Sequence, residues 1–186
     1  MPSLPSWKFR MMISAAAIAG VCALIVVPRL HGQRPNPLSP HESSTVTVDG
    51  ARITITYGRP SMRGRKIYGG LVPYGRVWMP GADESTKFET SAPLQFGEFK
   101  LPAGAYTLYA LPTEKKWTLI INKQTGQFHT VYPEAQDLAK LPMTIEQLPA
   151  PVERLTIEAV PRPDGGGALQ LDWENTRAYV PFTAVH

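Results

Sequence analysis

Leu101-Pro-Ala-Gly-Ala-Tyr106-Thr-Leu-Tyr-Ala-Leu111 and the run Trp117-Thr-Leu-Ile-Ile121 decide the fold. Both runs are rich in the aromatic and β-branched residues that suit a pleated, half-buried surface. The second is almost continuously apolar, which predicts a central strand. Leu101–Tyr106 has the pattern of a tyrosine corner, in which a Tyr near the start of a strand hydrogen-bonds back to the backbone just upstream. An ordinary glycine turn leading into a strand is the competing reading.

Outward from this centre the chain reads as one short strand after another. Thr45–Val48 is β-branched, and Asp49-Gly50 is a strong hairpin turn. Arg52–Tyr57 alternates, with Ile53, Ile55 and Tyr57 on one face. Lys87–Thr90 and Leu94–Phe96 are brief strands, and Arg154–Val160 alternates again. Gly165–Gly167 separates that run from Leu169–Trp173, and a turn at Glu174–Thr176 leads into Ala178–Phe182. Pro181 argues that the last strand lies at an edge. Pro133–Lys140 has the composition of a helical turn or two, and Thr144–Leu148 fits helix or strand. Short strands punctuated by Gly and Pro predict an all-β, antiparallel β-sandwich of Greek-key or jelly-roll type over residues 44–186.

The N-terminal part has a different character. Lys8 and Arg10 precede Met11–Val27, which carries no charge. A positive start followed by an apolar run predicts one hydrophobic helix over residues 1–28, either a signal peptide or a membrane anchor. Leu30-His31-Gly32 is a poor cleavage site because leucine stands where a small residue is needed, which favours an uncleaved anchor. Cys22 lies inside this run, so a body starting at residue 44 has neither a disulfide nor thiolate chemistry. Residues 29–43 read as a Pro-rich linker. Lys8, Arg10 and Arg29 account for most of the net charge of +4. A body this close to neutral is a poor match for nucleic acid.

Between two strand segments lies a long stretch crowded with glycine, proline, arginine and aromatics, Tyr57–Thr86. A segment of this length usually carries function. Arg59, Arg63 and Arg65 have the planar fork that suits an anionic group. Tyr68 and Trp78 are candidate stacking partners. Asp83 and Glu84 are candidate acid–base residues or ion-pair partners of the arginines. A phosphate loop is excluded, since five residues separate Gly58 from Gly64 and Ile67 stands where a hydroxyl should hold magnesium. Ser61 lacks the flanking glycines of a nucleophile elbow, and Ser85 follows two acids. The histidines show no metal-ligand spacing, and His129 reads as a surface strand residue, so neither metal nor cofactor is expected. Trp117 and Trp173 read as core.

Tyr57–Thr86, Leu101–Tyr106, Trp117–Asn122, Leu148–Pro151 and Leu171–Thr176 together resemble the bacterial domain-of-unknown-function family DUF2911, over roughly residues 39–182. The resemblance implies a secreted or envelope-located bacterial protein. It implies no established activity, cofactor or catalytic residue. Met79 departs from the pattern, which has a polar or basic residue after the tryptophan.

The resulting expectation is a non-enzymatic binding module of the cell envelope. It faces the periplasm or exterior on a membrane anchor, or is secreted after cleavage. Its ligand is a small polar or anionic molecule, a glycan or a protein, held by Arg59, Arg63, Arg65, Tyr68, Trp78, Asp83 and Glu84. One alternative is a hydrolase with Asp83 or Glu84 as general base. Another is a purely structural role, with the long loop packed across the sandwich as a lid.

Overall fold

The computed structural model describes residues 39–185. The expected N-terminal helix and most of the 29–43 linker lie outside them. Nine strands follow in chain order: β1 (His41–Val48), β2 (Ala51–Gly58), β3 (Lys87–Thr90), β4 (Leu94–Phe96), β5 (Phe99–Leu101), β6 (Gly104–Pro112), β7 (Trp117–Asn122), β8 (Asp137–Pro161) and β9 (Gly167–Ala184). They form a single antiparallel sheet in the order β1-β2-β3-β6-β7-β8-β9-β4-β5. The body is therefore all-β and sandwich-like. Its helical content among the described residues is one 3-10 turn, Glu134–Gln136.

The two long strands explain how one sheet makes two layers. β8 pairs with β7 through Met143 and with β9 from Thr144 onward. β9 leaves β8 after Tyr179 and takes β4 at Thr183 and Ala184. The sheet thus folds back, and β2 meets β8 face to face. The Tyr57 hydroxyl of β2 donates to the Leu155 carbonyl of β8 at 3.4 Å and accepts the Ile157 N–H at 2.9 Å. Between the layers, Ile53, Ile55, Phe88, Leu108, Leu119 and Ile121 pack with Leu155, Ile157, Leu169, Leu171 and Phe182 in one buried cluster. A second, smaller cluster of Met79, Tyr109 and Ile120 covers the other face of β6 and β7.

Local chemistry accounts for the strand ends. Asp49 (φ 46°) and Gly50 (φ 79°) are both left-handed, as a two-residue hairpin turn requires. The tyrosine corner is present: the Tyr106 hydroxyl donates to the Pro102 carbonyl at 2.8 Å. Tyr106→Phe should cost about 1 kcal/mol, the usual net worth of one such bond, in urea unfolding. An unchanged midpoint would show that the glycine turn alone sets this bend.

The structure departs from the sequence expectation in several places. β1 begins at His41, three residues before the expected domain start at Ser44. Phe99–Leu101 is a strand with no counterpart in the sequence reading. Pro133–Lys140 holds only the 3-10 turn before β8 starts, because pairing with β7 claims Asp137–Met143. Glu174–Thr176 is no chain reversal. The register shifts there while β9 continues, with Glu174 at φ 54° opposite the irregular segment of β8 between Gln147 and Val152. A left-handed residue and a few unpaired neighbours bend a strand without ending it. Pro181 does not mark an edge. It stands in the gap where β9 exchanges β8 for β4, so its missing N–H breaks no ladder.

Candidate functional site

Residues 59–86 between β2 and β3 form an ordered plug, built from paired backbone and buried side chains. Leaving β2, the segment hydrogen-bonds to β8, with Met62 N donating to the Glu153 carbonyl at 2.8 Å and Leu155 N to that of Pro60 at 3.0 Å. A tight coil follows, closed by bonds from Leu71 N to Lys66 O and from Val72 N to Ile67 O. It drives Ile67, Tyr68 and Val72 into the main core. Trp78 then pairs with Ala110 of β6 through two backbone bonds of 2.8 and 2.7 Å. Ala82 N returns to the Gly58 carbonyl at 3.1 Å. Met79 is buried against Tyr109 and Ile120, where a methionine fits an apolar pocket and a charged residue would not.

Beside the plug is a cleft of about 410 Å³. Its apolar wall is Leu71, Val72, Trp78 and Trp173, and its polar wall includes Ser61, Arg63, Arg65 and His129. Trp78 stacks on Trp173 with ring centroids 6.0 Å apart and planes 18° apart. Trp173 is otherwise core, as expected from the sequence, and its indole N–H donates to the Glu153 carbonyl at 3.2 Å.

The structure brings only some of the expected residues together here. Arg63 and Arg65 line the cleft, as does Trp78. Arg59 does not. Its guanidinium is committed to the Leu155 carbonyl (3.0 Å), Glu42 (2.7 Å) and the Thr156 hydroxyl (2.8 Å), tying β1 and β8 together. Tyr68 is buried behind the cleft, edge-on to Trp117 at 4.6 Å and to Trp78 and Trp173 at 6.2 and 6.5 Å. Its hydroxyl has no hydrogen-bond partner among the described residues. Burial pushes its pKa up strongly, with the Glu174 and Asp172 carboxylates adding to the effect. A buried hydroxyl without a partner is destabilising, so Tyr68→Phe should raise stability by about 1 kcal/mol. A loss of stability in the same urea titration would contradict this account of Tyr68.

Asp83 and Glu84 flank the cleft without lining it. Neither makes an ion pair among the described residues, so the expected pairing with the arginines is absent. Asp83 is left-handed (φ 66°), a conformation aspartate tolerates. Its carbonyl accepts two bonds from His129, from the backbone N–H at 3.2 Å and from Nδ1 at 2.9 Å.

His129 is the cleft residue that the sequence reading set aside. A carbonyl can only accept, so Nδ1 carries a proton, and in the neutral ring Nε2 is left as an acceptor. No local pattern signals this role, because the partner lies 46 positions away in the chain. Arg65 is also held. Its Nε donates to the Met62 carbonyl at 2.9 Å and its Nη2 to the Ser61 carbonyl at 2.8 Å. This uses the side edge of the guanidinium and leaves the Nη1–Nη2 edge uncommitted among the described residues. Arg63 sits at the loop's left-handed turn (φ 50°), with its backbone N–H donating to Glu153 at 2.9 Å. Among the described residues no group of His, Cys, Asp and Glu has the arrangement of a metal site.

Fold and cleft define a class: a sandwich-like all-β protein whose longest loop plugs the body and borders an aromatic-basic cleft. The family model for proteins of unknown function DUF2911 matches residues 39–182, and the chain belongs to that family. The match spans β1 to β9 and includes all the cleft residues. No curated protein and no solved structure matches the chain closely enough to count as a relative.

Proposed function

We propose that this protein is a non-enzymatic binding module of the bacterial cell envelope that takes a small ligand bearing an oxyanion into the cleft beside the 59–86 loop. One observation carries the reading. The Arg65 fork is held by two carbonyls of its own loop, and two donors on its end edge remain for a ligand. Holding the guanidinium in advance lowers the entropy cost of binding, and a planar pair of donors matches a carboxylate or phosphate. Trp78 and Leu71 supply apolar surface for the rest of the molecule. Arg59 and Tyr68 serve the scaffold in this reading, and Asp83 positions His129.

The envelope location rests on the charge-free run Met11–Val27 behind Lys8 and Arg10, which would hold the body outside the cytoplasmic membrane or direct its export. The purely structural reading draws support from the burial of Ile67, Tyr68 and Val72, yet it gives the neighbouring cleft no role. The hydrolase reading finds no carboxylate lining the cleft among the described residues.

Calorimetric titration of the full chain with acetate and inorganic phosphate tests the proposal. Arg65→Gln should weaken binding at least ~10-fold, the scale of a lost charged hydrogen-bond pair. Arg65→Lys, which keeps charge but loses the fork, should recover only part of it. Equal affinity in Arg65→Gln, or absence of heat with wild-type protein from both of these and from larger carboxylates alike, overturns the reading.

A further inference from the structure

Resting on that reading of the cleft, we infer that its ligand is a sugar acid: a hydroxylated ring or chain bearing one carboxylate. The argument starts from what the cleft offers besides Arg65. His129 has its Nδ1 proton committed to the Asp83 carbonyl, so in the neutral ring Nε2 is an acceptor that calls for an O–H or N–H on the ligand. Ser61 makes no side-chain hydrogen bond among the described residues, so its hydroxyl is available to donate or accept. The cleft therefore holds one anion-binding edge and at least two groups suited to neutral hydroxyls. A bare anion such as acetate would leave the latter unused, and an unpaired polar group facing a ligand costs affinity.

The apolar wall narrows the class further. Trp78 is held by stacking on Trp173, which also lines the cleft, and along its backbone by Ala110, so the two indoles form a fixed surface. The C–H face of a pyranose is apolar while its rim carries hydroxyls, and such a body lies naturally against an indole with its rim toward polar groups. The volume of about 410 Å³ accommodates one such ring and not a long chain. Within roughly 300–1,000 Å³, the usual range of ligand pockets, it lies near the small end. The same geometry disfavours a neutral sugar, which leaves the Arg65 edge unpaired.

The test is a calorimetric comparison of glucuronate, galacturonate, glucose, glucose 6-phosphate and acetate on the full chain. Glucuronate or galacturonate should bind at least tenfold more tightly than both glucose and acetate. Arg65→Gln should remove the advantage over glucose, and His129→Phe the advantage over acetate. Acetate binding as tightly as the uronates overturns the sugar-acid inference while leaving an oxyanion site in place. Glucose 6-phosphate binding more tightly than either uronate overturns the carboxylate assignment on the same terms. Failure of every anion overturns the underlying reading as well. A circular-dichroism melt of each variant, matching wild type to within a few degrees, separates lost binding from lost folding.

Discussion

Gly58→Ala should cost about 3 kcal/mol, the sum of an overpacked contact and a lost buried hydrogen bond. A Cβ at this position would sit 2.2 Å from the Ala82 carbonyl oxygen and 3.0 Å from its carbon. Both are backbone atoms, so no rotamer change relieves the clash. Relief requires the 80–86 segment to move off the end of β2, breaking the bond from Ala82 N to the Gly58 carbonyl. That segment also carries Asp83, whose carbonyl holds His129. At about 2–4 °C per kcal/mol for a chain of this size, the thermal midpoint should fall by ~6–12 °C. Gly64→Ala is the control. A Cβ there meets nothing within 4 Å, and only its left-handed backbone (φ 71°) is penalised, by about 1 kcal/mol. Equal losses from the two substitutions would contradict the plug architecture, since only Gly58 is pressed against the loop.

Stability should also fail on the alkaline side. Burial raises the hydroxyl pKa of Tyr57, Tyr68, Tyr106, Tyr109 and Tyr132 above the ordinary 10.0, and for Tyr132 a hydrogen bond to Asp137 adds to the effect. The folded state therefore keeps these protons where the unfolded chain releases them. Below pH 10 both states are protonated and the contribution is intact. As pH rises past 10 the unfolded chain ionises first, unfolding releases protons, and stability falls with pH. One unit above that point Tyr68 alone removes about 1.4 kcal/mol. Tyr68→Phe should accordingly shift the alkaline limb of the stability curve upward in pH. Phenolate absorbance followed with denaturation should show these tyrosines ionising together with unfolding. Tyrosines that all ionise near pH 10 in a still-folded chain would contradict the burial assigned to them.

The two expectations share a cause. The loop from Arg59 to Thr86 is made of residue types that suit a mobile surface segment, yet its role is to close the space between the layers. Glycines allow backbone to lie on backbone, at Gly58 of β2 against Ala82 and at Gly70 of the loop against Lys66. The loop's aromatics and aliphatics, Ile67, Tyr68 and Val72, complete the main core. The cleft is what remains where this plug meets the 127–129 segment and Trp173 of β9, and it takes its basic character from the arginines that the plug brings with it.

The sequence by itself determined the all-β class, most strand positions and the corner at Tyr106, because alternation, β-branching and Gly/Pro turns are local properties written every few residues, while the family was legible in longer motifs such as Leu171–Thr176. It also singled out, through its length and composition, the loop that borders the cleft. Only the tertiary structure decided which of that loop's residues line the cleft. Arg59 and Arg65 look alike in the chain, but among the described residues Arg59 bonds to Glu42, Leu155 and Thr156 while Arg65 bonds only to its own loop. Asp83 offers His129 its carbonyl instead of its carboxylate, a choice no residue type announces. The continuation of β9 through Glu174 likewise depends on β8 lying beside it, and pairing across such distances is a property of the folded chain alone.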